Sequence, residues 1–229
     1  MKIAIAGAGN VGSSIAQELH DNGHDVLLIE RDTRAAEHHP VAGVRTLLAD
    51  ACELSALQHA GMADYDVMVA ATGDDKVNLV VSLLAKTEFA VPRVLARINN
   101  PKNEWLFNDA WGVDVAVSTP RLITALVEEA VSVGDLVRLM RFEQGQAALV
   151  ELTLGTDSKL AGQLVAHLRL PRDCALVAIL RDGRVVLPAP DAPIEGGDEL
   201  FFITTTAEVE IELAQLFDAK PVSGSDAAI

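Results

Sequence analysis

The stretch that decides the fold reads KIAIAGAGNVG and covers residues 2–12. Its first part, Lys2–Ala6, is apolar after the lysine and predicts a buried β-strand. The next six residues, Gly7-Ala8-Gly9-Asn10-Val11-Gly12, form a Gly-x-Gly-x-x-Gly sequence that opens a predicted helix at 11–21. In that context Gly7 permits a tight turn, Gly9 lets the backbone approach a pyrophosphate, and Gly12 allows the helix to pack closely on the strand.

A carboxylate at the end of the second predicted strand is the second signal. Asp25–Glu30 predicts that strand, and Glu30 lies 18 residues past Gly12. A carboxylate there accepts hydrogen bonds from the ribose hydroxyls and repels a 2′-phosphate. The neighbouring Arg31 can pair with such a phosphate. Glu30 and Arg31 therefore have opposite effects on the binding of a 2′-phosphate. The effect of the carboxylate is expected to be the larger, which favours NAD(H) over NADP(H).

The alternation of strands and helices continues to residue 135. Further strands are predicted at 44–48, 67–71, 93–98 and 114–117, and helices at 53–60, 76–87, 101–108 and 120–133. Six strands that alternate with five helices through short connections predict an α/β fold, a Rossmann-like doubly wound parallel sheet. Ligands of that fold bind at the carboxyl ends of strands. Candidate binding residues therefore follow strands three, four and five: Ala51, Cys52, Thr72, Gly73 and Arg97. Asp74-Asp75 is interpreted as a helix cap rather than a metal site.

The pattern changes after Gly134, where strands begin to dominate. Strands are predicted at 148–154, 175–181, 184–187 and Glu199–Thr204, followed by a helix at Ala207–Phe217. Asp182-Gly183 predicts a two-residue hairpin turn. The chain is therefore predicted to hold a nucleotide-binding domain at 1–135, a smaller α+β domain at 136–219 and a disordered tail at 220–229.

Composition limits the function classes. The net charge is −15, and the parts before and after residue 135 carry −9 and −6, so nucleic acid is not an expected partner. The sequence contains no apolar run of transmembrane length and no signal peptide. Cys52 and Cys174 form no Cys-x-x-Cys pair and are interpreted as buried, reduced thiols of a cytoplasmic protein.

The sequence shows no catalytic constellation. None of the six histidines follows a predicted strand of the nucleotide-binding domain at its carboxyl end, where hydride transfer needs a proton donor. No hydrolase or metal motif is present either. We therefore expect a nucleotide sensor and not an enzyme. Two alternatives stay open: a small NAD-dependent oxidoreductase, and a nucleotide sensor that acts on a soluble protein partner.

Several segments together resemble one family. They are Gly7–Gly12, Glu30-Arg31-Asp32, Leu48-Ala49-Asp50-Ala51, Ala70-Ala71-Thr72-Gly73-Asp74 and Ala96-Arg97, followed by Asp182-Gly183-Arg184, Leu187-Pro188 and residues 194–200. In this order they resemble the N-terminal and C-terminal RCK domains of TrkA/KtrA-type potassium uptake regulators. The resemblance covers residues 1–217.

The resemblance implies a non-enzymatic regulatory subunit at the inner face of the cell membrane. It implies dimers that assemble into a ring under a potassium transporter or channel subunit, and it adds a second RCK subunit as a further candidate partner. NAD(H) or ATP/ADP is the implied ligand. By position, Gly7, Gly9, Asn10, Val11 and Gly12 hold phosphates and Glu30 holds the ribose. Ala51 and Cys52 line the adenine side, Thr72 and Gly73 the far side, and Arg97 meets a phosphate.

Two positions depart from the family pattern. Asn10 stands where ATP-responsive members often carry an arginine, and Pro120 stands near a glutamate that some members use for a bridging divalent cation. Both departures favour NAD(H) over ATP/ADP and disfavour a metal. Some relatives bind cyclic di-AMP between their second domains, and here only Arg169 and Arg172 suggest such a site.

The helix predicted at 120–133 is too apolar for one buried face. Its apolar residues cover more than one side: Leu122, Ile123, Leu126, Val127, Ala130, Val131 and Val133. Burial in the core explains part of this pattern, and a dimer interface, which the family has in this region, explains the remainder.

Overall fold

The computed structural model describes residues 1–131, 133–142, 147–220 and 222. The chain divides into two compact units, Met1–Arg121 and Leu122–Ile229. The division falls near the start of helix α5, Thr119–Val131. The domain boundary expected at residue 135, just after that helix, stays a prediction. Of the tail predicted at 220–229, only Lys220 and Val222 lie among the described residues.

The first unit is built on a six-stranded parallel sheet. Its strands are β1 Lys2–Ala6, β2 Asp25–Glu30, β3 Arg45–Leu48, β4 Val67–Ala70, β5 Arg93–Ile98 and β6 Val115–Ser118. Their order is β3-β2-β1-β4-β5-β6, and every neighbouring pair is parallel. This confirms the predicted doubly wound sheet. From β1 the chain adds β2 and β3 on one side and then crosses to add β4, β5 and β6 on the other. The order of the strands therefore reverses between β1 and β4, and ligands of this fold bind in the crevice at that point.

Helices cover both faces of this sheet. They are α1 Asn10–Asp21, α2 Thr33–His38, α3 Leu54–Ala60 and α4 Asp75–Thr87. Alternate strand residues face two separate cores: Ala4 and Leu27 pack into one, and Ile5 and Leu28 into the other. Burial on both faces explains why these strands read as continuous apolar runs.

Two elements of the first unit differ from the sequence prediction. The six-residue helix α2 is not predicted, because none of its residues is buried and it shows no apolar periodicity. The helix predicted at 101–108 is wrong: a 3₁₀ segment covers Pro101–Leu106 and a second one covers Asp109–Trp111. The side chain of Asn108 caps the start of this second segment. The chain therefore begins a new segment at that point, and one continuous helix over 101–108 does not form.

In the part of the second unit that the structure describes, a five-stranded antiparallel sheet packs against the helix that follows its last strand. The strands are β7 Leu136–Arg141, β8 Ala148–Thr153, β9 Cys174–Arg181, β10 Arg184–Val186 and β11 Glu199–Thr204, in the order β10-β9-β11-β8-β7. Helix α6, Ala207–Phe217, packs Phe217 against Phe202 with ring centroids 5.6 Å apart. Asp182 and Gly183 both have positive φ, which confirms the predicted hairpin turn. Strand β7 is not predicted.

Both cysteines are free thiols, but they are partly rather than fully buried. Burial raises the pKa of Cys174 to about 11, and burial together with Asp50 raises the pKa of Cys52. Both thiols are therefore held in the unreactive protonated form at neutral pH. Among the described residues, no helix has both the length and the apolar character needed to cross a bilayer.

Candidate nucleotide-binding site

Three glycines of the turn after β1 have three different geometric roles. Gly7 has a φ of +102°, and a Cβ there would lie 3.0 Å from the Cα of Thr72. A Cβ on Gly12 would lie 1.9 Å from the carbonyl oxygen of Gly7, so α1 packs on the turn with no room for a side chain. A Cβ on Gly9 would meet nothing within 4 Å. Gly9 therefore leaves open space above the backbone, where a pyrophosphate can approach.

The start of α1 supplies donors to that open space. Gly9 is the N-cap of the helix, and no side chain caps this end. The first amide groups of a helix have no intrahelical partner and carry a partial positive charge. An uncapped helix start beside a glycine without neighbours is suited to binding a phosphate.

Glu30 lies at the end of β2 and binds the glycine-rich turn directly. Its Oε2 accepts a hydrogen bond from the backbone N–H of Ala8 at 2.8 Å, and its Oε1 accepts one from the N–H of Asp32 at 2.9 Å. Each carboxylate oxygen has two acceptor sites. The carboxylate can therefore hold the turn in place and still accept hydrogen bonds from ribose hydroxyls.

Ten of the thirteen sequence-predicted binding residues line one cavity of about 560 Å³ at the carboxyl ends of the parallel strands: Gly7, Gly9, Asn10, Val11, Glu30, Arg31, Ala51, Thr72, Gly73 and Arg97. The other three do not line it. Ala8 is buried behind the turn, Gly12 lies under it, and the Cys52 sulfur lies 4.0 Å from the carbonyl of Val77. Ile29, Asp32, Ala35, Ala49, Asp50, Ala71, Asp74 and Val77 complete the lining.

A second cavity of about 420 Å³ lies at the opposite, amino ends of β1, β2 and β3. It combines Lys2 and Arg45 with Asp25 and Asp64, so its permanent charges cancel. The last turns of α1 and α3 also border it, and helix carboxyl ends repel anions. The cavity at the carboxyl ends is therefore the candidate site.

The charged residues of the candidate site include two aspartates that cap helices and one arginine that is available to a ligand. Asp32 and Asp74 cap α2 and α4 by accepting hydrogen bonds from the backbone N–H groups of Arg34 and Lys76, and the Asp74 cap is the predicted one. Arg97 has a buried Nε with no hydrogen-bond partner among the described residues. An unpaired guanidinium nitrogen at a cavity is suited to a ligand phosphate.

Arg31 faces Asp50 across the cavity mouth, with Nη1 and Oδ2 3.9 Å apart. Asp50 also accepts the N–H of Cys52 at 2.8 Å. Arg31 is mostly exposed, so this ion pair is weak. No group of three or more metal-ligating side chains occurs among the residues that the structure describes.

Sequence reasoning missed a polar cluster directly behind the cavity. Asn78, on the second turn of α4, is fully buried and bonds to the backbone and hydroxyl of Thr72 and to the carbonyl of Arg97. Asp75 and Asn99 bond to each other beside it. The polar residues Asp75 and Asn78, at the start of the predicted helix 76–87, were the available signal.

A glycine-rich turn at the reversal point of a parallel sheet, with a carboxylate on the next strand, defines the Rossmann class of nucleotide-binding domain. Here that domain is followed by a small antiparallel α+β unit. The family models of the TrkA-N domain and the TrkA-C domain match residues 3–119 and 149–214. The chain therefore belongs to the TrkA family of Trk system potassium uptake proteins, and the resemblance seen in the sequence is confirmed.

Individual relatives agree with this assignment. The chain is 60% identical over 216 residues to the Trk system potassium uptake protein TrkA of Mycobacterium tuberculosis (strain ATCC 25618 / H37Rv), covering 94% of this chain and 98% of the relative. It is 30% identical over 214 residues to a TrkA homolog of Archaeoglobus fulgidus, covering 92% of this chain. It spans 49% of that longer relative.

Solved structures show the same fold. The TrkA-N domain of the inner membrane protein ybaL from Escherichia coli matches with a TM-score of 0.52 and 18% identity, covering 57% of this chain and 96% of that one. The GsuK channel matches with a TM-score of 0.63 and 13% identity, covering 96% of this chain and 40% of the channel chain. At these identities the likeness concerns the fold alone.

Proposed function

We propose that this chain is a nucleotide-sensing regulatory subunit of a membrane potassium uptake system and that it has no enzymatic activity. One observation carries the proposal: the uncapped, glycine-rich start of α1 and the Glu30 carboxylate face the same cavity. The relatives named as Trk system potassium uptake proteins support the choice of transport system. The cavity lining, as far as the structure describes it, holds no histidine, lysine, cysteine or tyrosine, and each of its four carboxylates already accepts a backbone N–H as part of a turn or helix cap.

NAD(H) is the ligand that the site favours, and ATP or ADP is the alternative. Glu30 is placed to receive ribose hydroxyls, and Asn10 adds no positive charge at the phosphate side of the cavity. Arg97 and Arg31 are the cations of the lining, against four carboxylates. A ligand with fewer negative charges than ATP suits this balance better.

Self-association is proposed through α5. Among the side chains of α5 that the structure describes, four large apolar ones are exposed, Leu122, Ile123, Leu126 and Val127, of which the last three are more than half exposed. An apolar stripe on one helix is typical of an interface between copies. We propose dimers that assemble into a ring beneath the membrane transporter or channel subunit at the cytoplasmic face, with a second RCK subunit as a further candidate partner.

Two nucleotides regulate such an assembly only if they favour different dimer geometries, because a ligand shifts an equilibrium by its differential affinity. A sensor acting on a soluble protein partner would use the same cavity. Co-purification of the chain with a membrane protein, or with a soluble one, distinguishes these two possibilities. Absorbance at 340 nm with NAD⁺ and candidate substrates tests the oxidoreductase alternative.

Thermal unfolding with one nucleotide at a time tests the ligand. At about 100 times its dissociation constant, a ligand adds roughly 2.7 kcal/mol to the folded state, which raises Tm by roughly 5–10 °C for a protein of this size. With every nucleotide at the same concentration, set at about 100 times the dissociation constant of NAD(H), we expect NAD⁺ or NADH to give this rise, ADP and ATP a smaller one, and NADPH none. If none of the five nucleotides raises Tm, the nucleotide-sensing function is wrong.

Replacement of Glu30 by lysine is expected to weaken nucleotide binding by about a hundredfold, since it removes the ribose acceptor and two hydrogen bonds to charged oxygen that hold the turn. The measurement is titration calorimetry with NAD⁺. Asp66→Lys makes the same charge change at the amino end of the sheet, where Asp66 accepts the N–H of Lys2, and serves as the control. Equal affinities of the Glu30 variant and the native chain would contradict the site assignment.

A further inference from the structure

A buried polar network lies behind the nucleotide cavity and links two of its loops. Its centre is Asn78, whose side chain is fully buried. The Asn78 Oδ1 accepts hydrogen bonds from the N–H of Thr72 at 2.9 Å and from the Thr72 hydroxyl at 2.6 Å. Its Nδ2 donates to the carbonyl of Thr72 at 3.2 Å and to the carbonyl of Arg97 at 2.8 Å. Both neighbours line the cavity, so Asn78 fixes the end of β4 relative to the end of β5.

Asp75 extends the network from the cavity to the chain that follows β5. Its Oδ1 accepts from the N–H of Asn99 at 2.6 Å and from the Asn99 side chain at 3.0 Å. Its Oδ2 accepts from the N–H of Asn100 at 3.0 Å and from the side chain of Asn103 at 2.8 Å. Burial raises the pKa of the Asp75 carboxyl, but these four hydrogen bonds outweigh burial and leave the pKa below its ordinary value.

The network ends in the 3₁₀ segment Pro101–Leu106. Asn103 is the member of that segment that bonds Asp75. The next residue, Glu104, forms an ion pair with Arg121 in the first turn of α5. Trp105 follows, and its side chain is 74% exposed. The Asn99 side chain joins the two parts of the network, because its Nδ2 also donates to the carbonyl of Thr72 at 3.0 Å. A continuous set of bonds therefore runs from Thr72 and Arg97 at the cavity to a segment that displays a tryptophan.

We propose that Asp75, Asn78 and Asn103 are positioning residues that couple occupancy of the nucleotide cavity to the conformation of the segment 101–106. The inference rests on the proposed nucleotide binding and deepens it. All four hydrogen-bonding positions of the Asn78 carboxamide and all four N–H contacts of Asp75 are engaged, so neither side chain can follow a loop movement without breaking a buried bond. A movement of Thr72 or Arg97 toward a ligand phosphate therefore displaces Asn103 and its segment.

The chain carries its own reporters, because Trp105 and Trp111 are its two tryptophans. The full chain labelled with 5-fluorotryptophan gives two ¹⁹F resonances, which a Trp111→Phe variant assigns. With NAD⁺ and, separately, ADP as probes, we expect saturation to shift the Trp105 resonance more than that of Trp111. In the Asn103→Ala variant, we expect the Trp105 shift to be lost while affinity stays within about threefold of native, since Asn103 does not line the cavity.

Asn100→Ala is the matched control. Asn100 lies in the same region and its side chain caps the segment by accepting the N–H of Lys102 at 3.1 Å, but that side chain does not bond Asp75. We expect this variant to keep the Trp105 shift. A shift that persists in Asn103→Ala, or binding without any Trp105 shift in the native chain, overturns the coupling and leaves nucleotide binding intact. Absence of binding by calorimetry overturns the proposed function and the coupling with it.

Discussion

Replacement of Gly12 by alanine is expected to destabilise the first unit by about 3 kcal/mol or more and to lower its Tm by roughly 10 °C. The new Cβ would lie 1.9 Å from the carbonyl oxygen of Gly7 and 3.7 Å from the side chain of Ile5. The backbone oxygen cannot rotate away as a flexible side chain would, so α1 must move off β1. Alanine is the better helix former by about 1 kcal/mol, which is too little to offset this overlap.

The same movement displaces the start of α1, so binding of NAD⁺ is expected to fall together with stability. Thermal unfolding of the full chain, followed by the amide hydrogen exchange of β1 and α1, measures the first effect. Calorimetry measures the second below the lowered Tm. A Gly12→Ala variant with native Tm would show that the turn and the helix do not pack as closely as the structure has them.

Gly9→Ala is the control that separates folding from binding. Gly9 has φ −75° and ψ −176°, a conformation that alanine adopts without strain, and its Cβ would meet nothing within 4 Å. Stability is therefore expected to stay within about 0.5 kcal/mol of native. The added methyl occupies the space where a pyrophosphate approaches, so NAD⁺ affinity is expected to fall about tenfold or more. If this variant binds NAD⁺ with native affinity, the phosphates of the ligand do not bind beside Gly9.

The parallel sheet and its cavity were predictable because their signals are local. Each buried strand is a short apolar run, and the turn Gly7–Gly12 and the acid Glu30 stand at fixed positions next to the first two of them. Strand ends of a doubly wound sheet meet at one edge, so residues after strands three, four and five could be placed near the same ligand. No pairing between distant residues had to be known.

The elements that sequence reasoning missed lack such local signals. Helix α2 buries none of its residues, and strand β7 is interrupted by Arg138, whose place beside α6 depends on a residue 72 positions away. The polar network was missed for the same reason. Asn78 belongs to the repeat of β4 and α4, whereas Asn99 and Asn103 follow β5, so their hydrogen bonds form only once α4 and β5 are packed together.

Replacement of Arg138 by methionine is expected to destabilise the second unit by about 3–5 kcal/mol. The Arg138 Nε donates to Glu210 Oε1 at 3.0 Å, and a second guanidinium nitrogen pairs with Oε2. The two side chains are 14% and 5% exposed. Methionine fills similar space but leaves the Glu210 carboxylate buried, and within the described part of the chain the Thr204 hydroxyl, at 3.2 Å, is its remaining side-chain hydrogen-bond donor. Hydrogen exchange of β8 and β11 in the full chain measures this loss.

Two further variants test the cause of that loss. Lys220→Met breaks the ion pair of Lys220 with Asp135, whose side chains are 82% and 31% exposed, and is expected to cost under about 1 kcal/mol because water solvates the remaining charge. Adding Glu210→Leu to Arg138→Met removes the buried carboxylate as well, and most of the lost stability is expected to return. If Arg138→Met lowers the free energy of unfolding by no more than Lys220→Met does, water reaches the Glu210 carboxylate and solvates its charge. If the double variant is no more stable than Arg138→Met, lost packing and not the unpaired charge explains the effect.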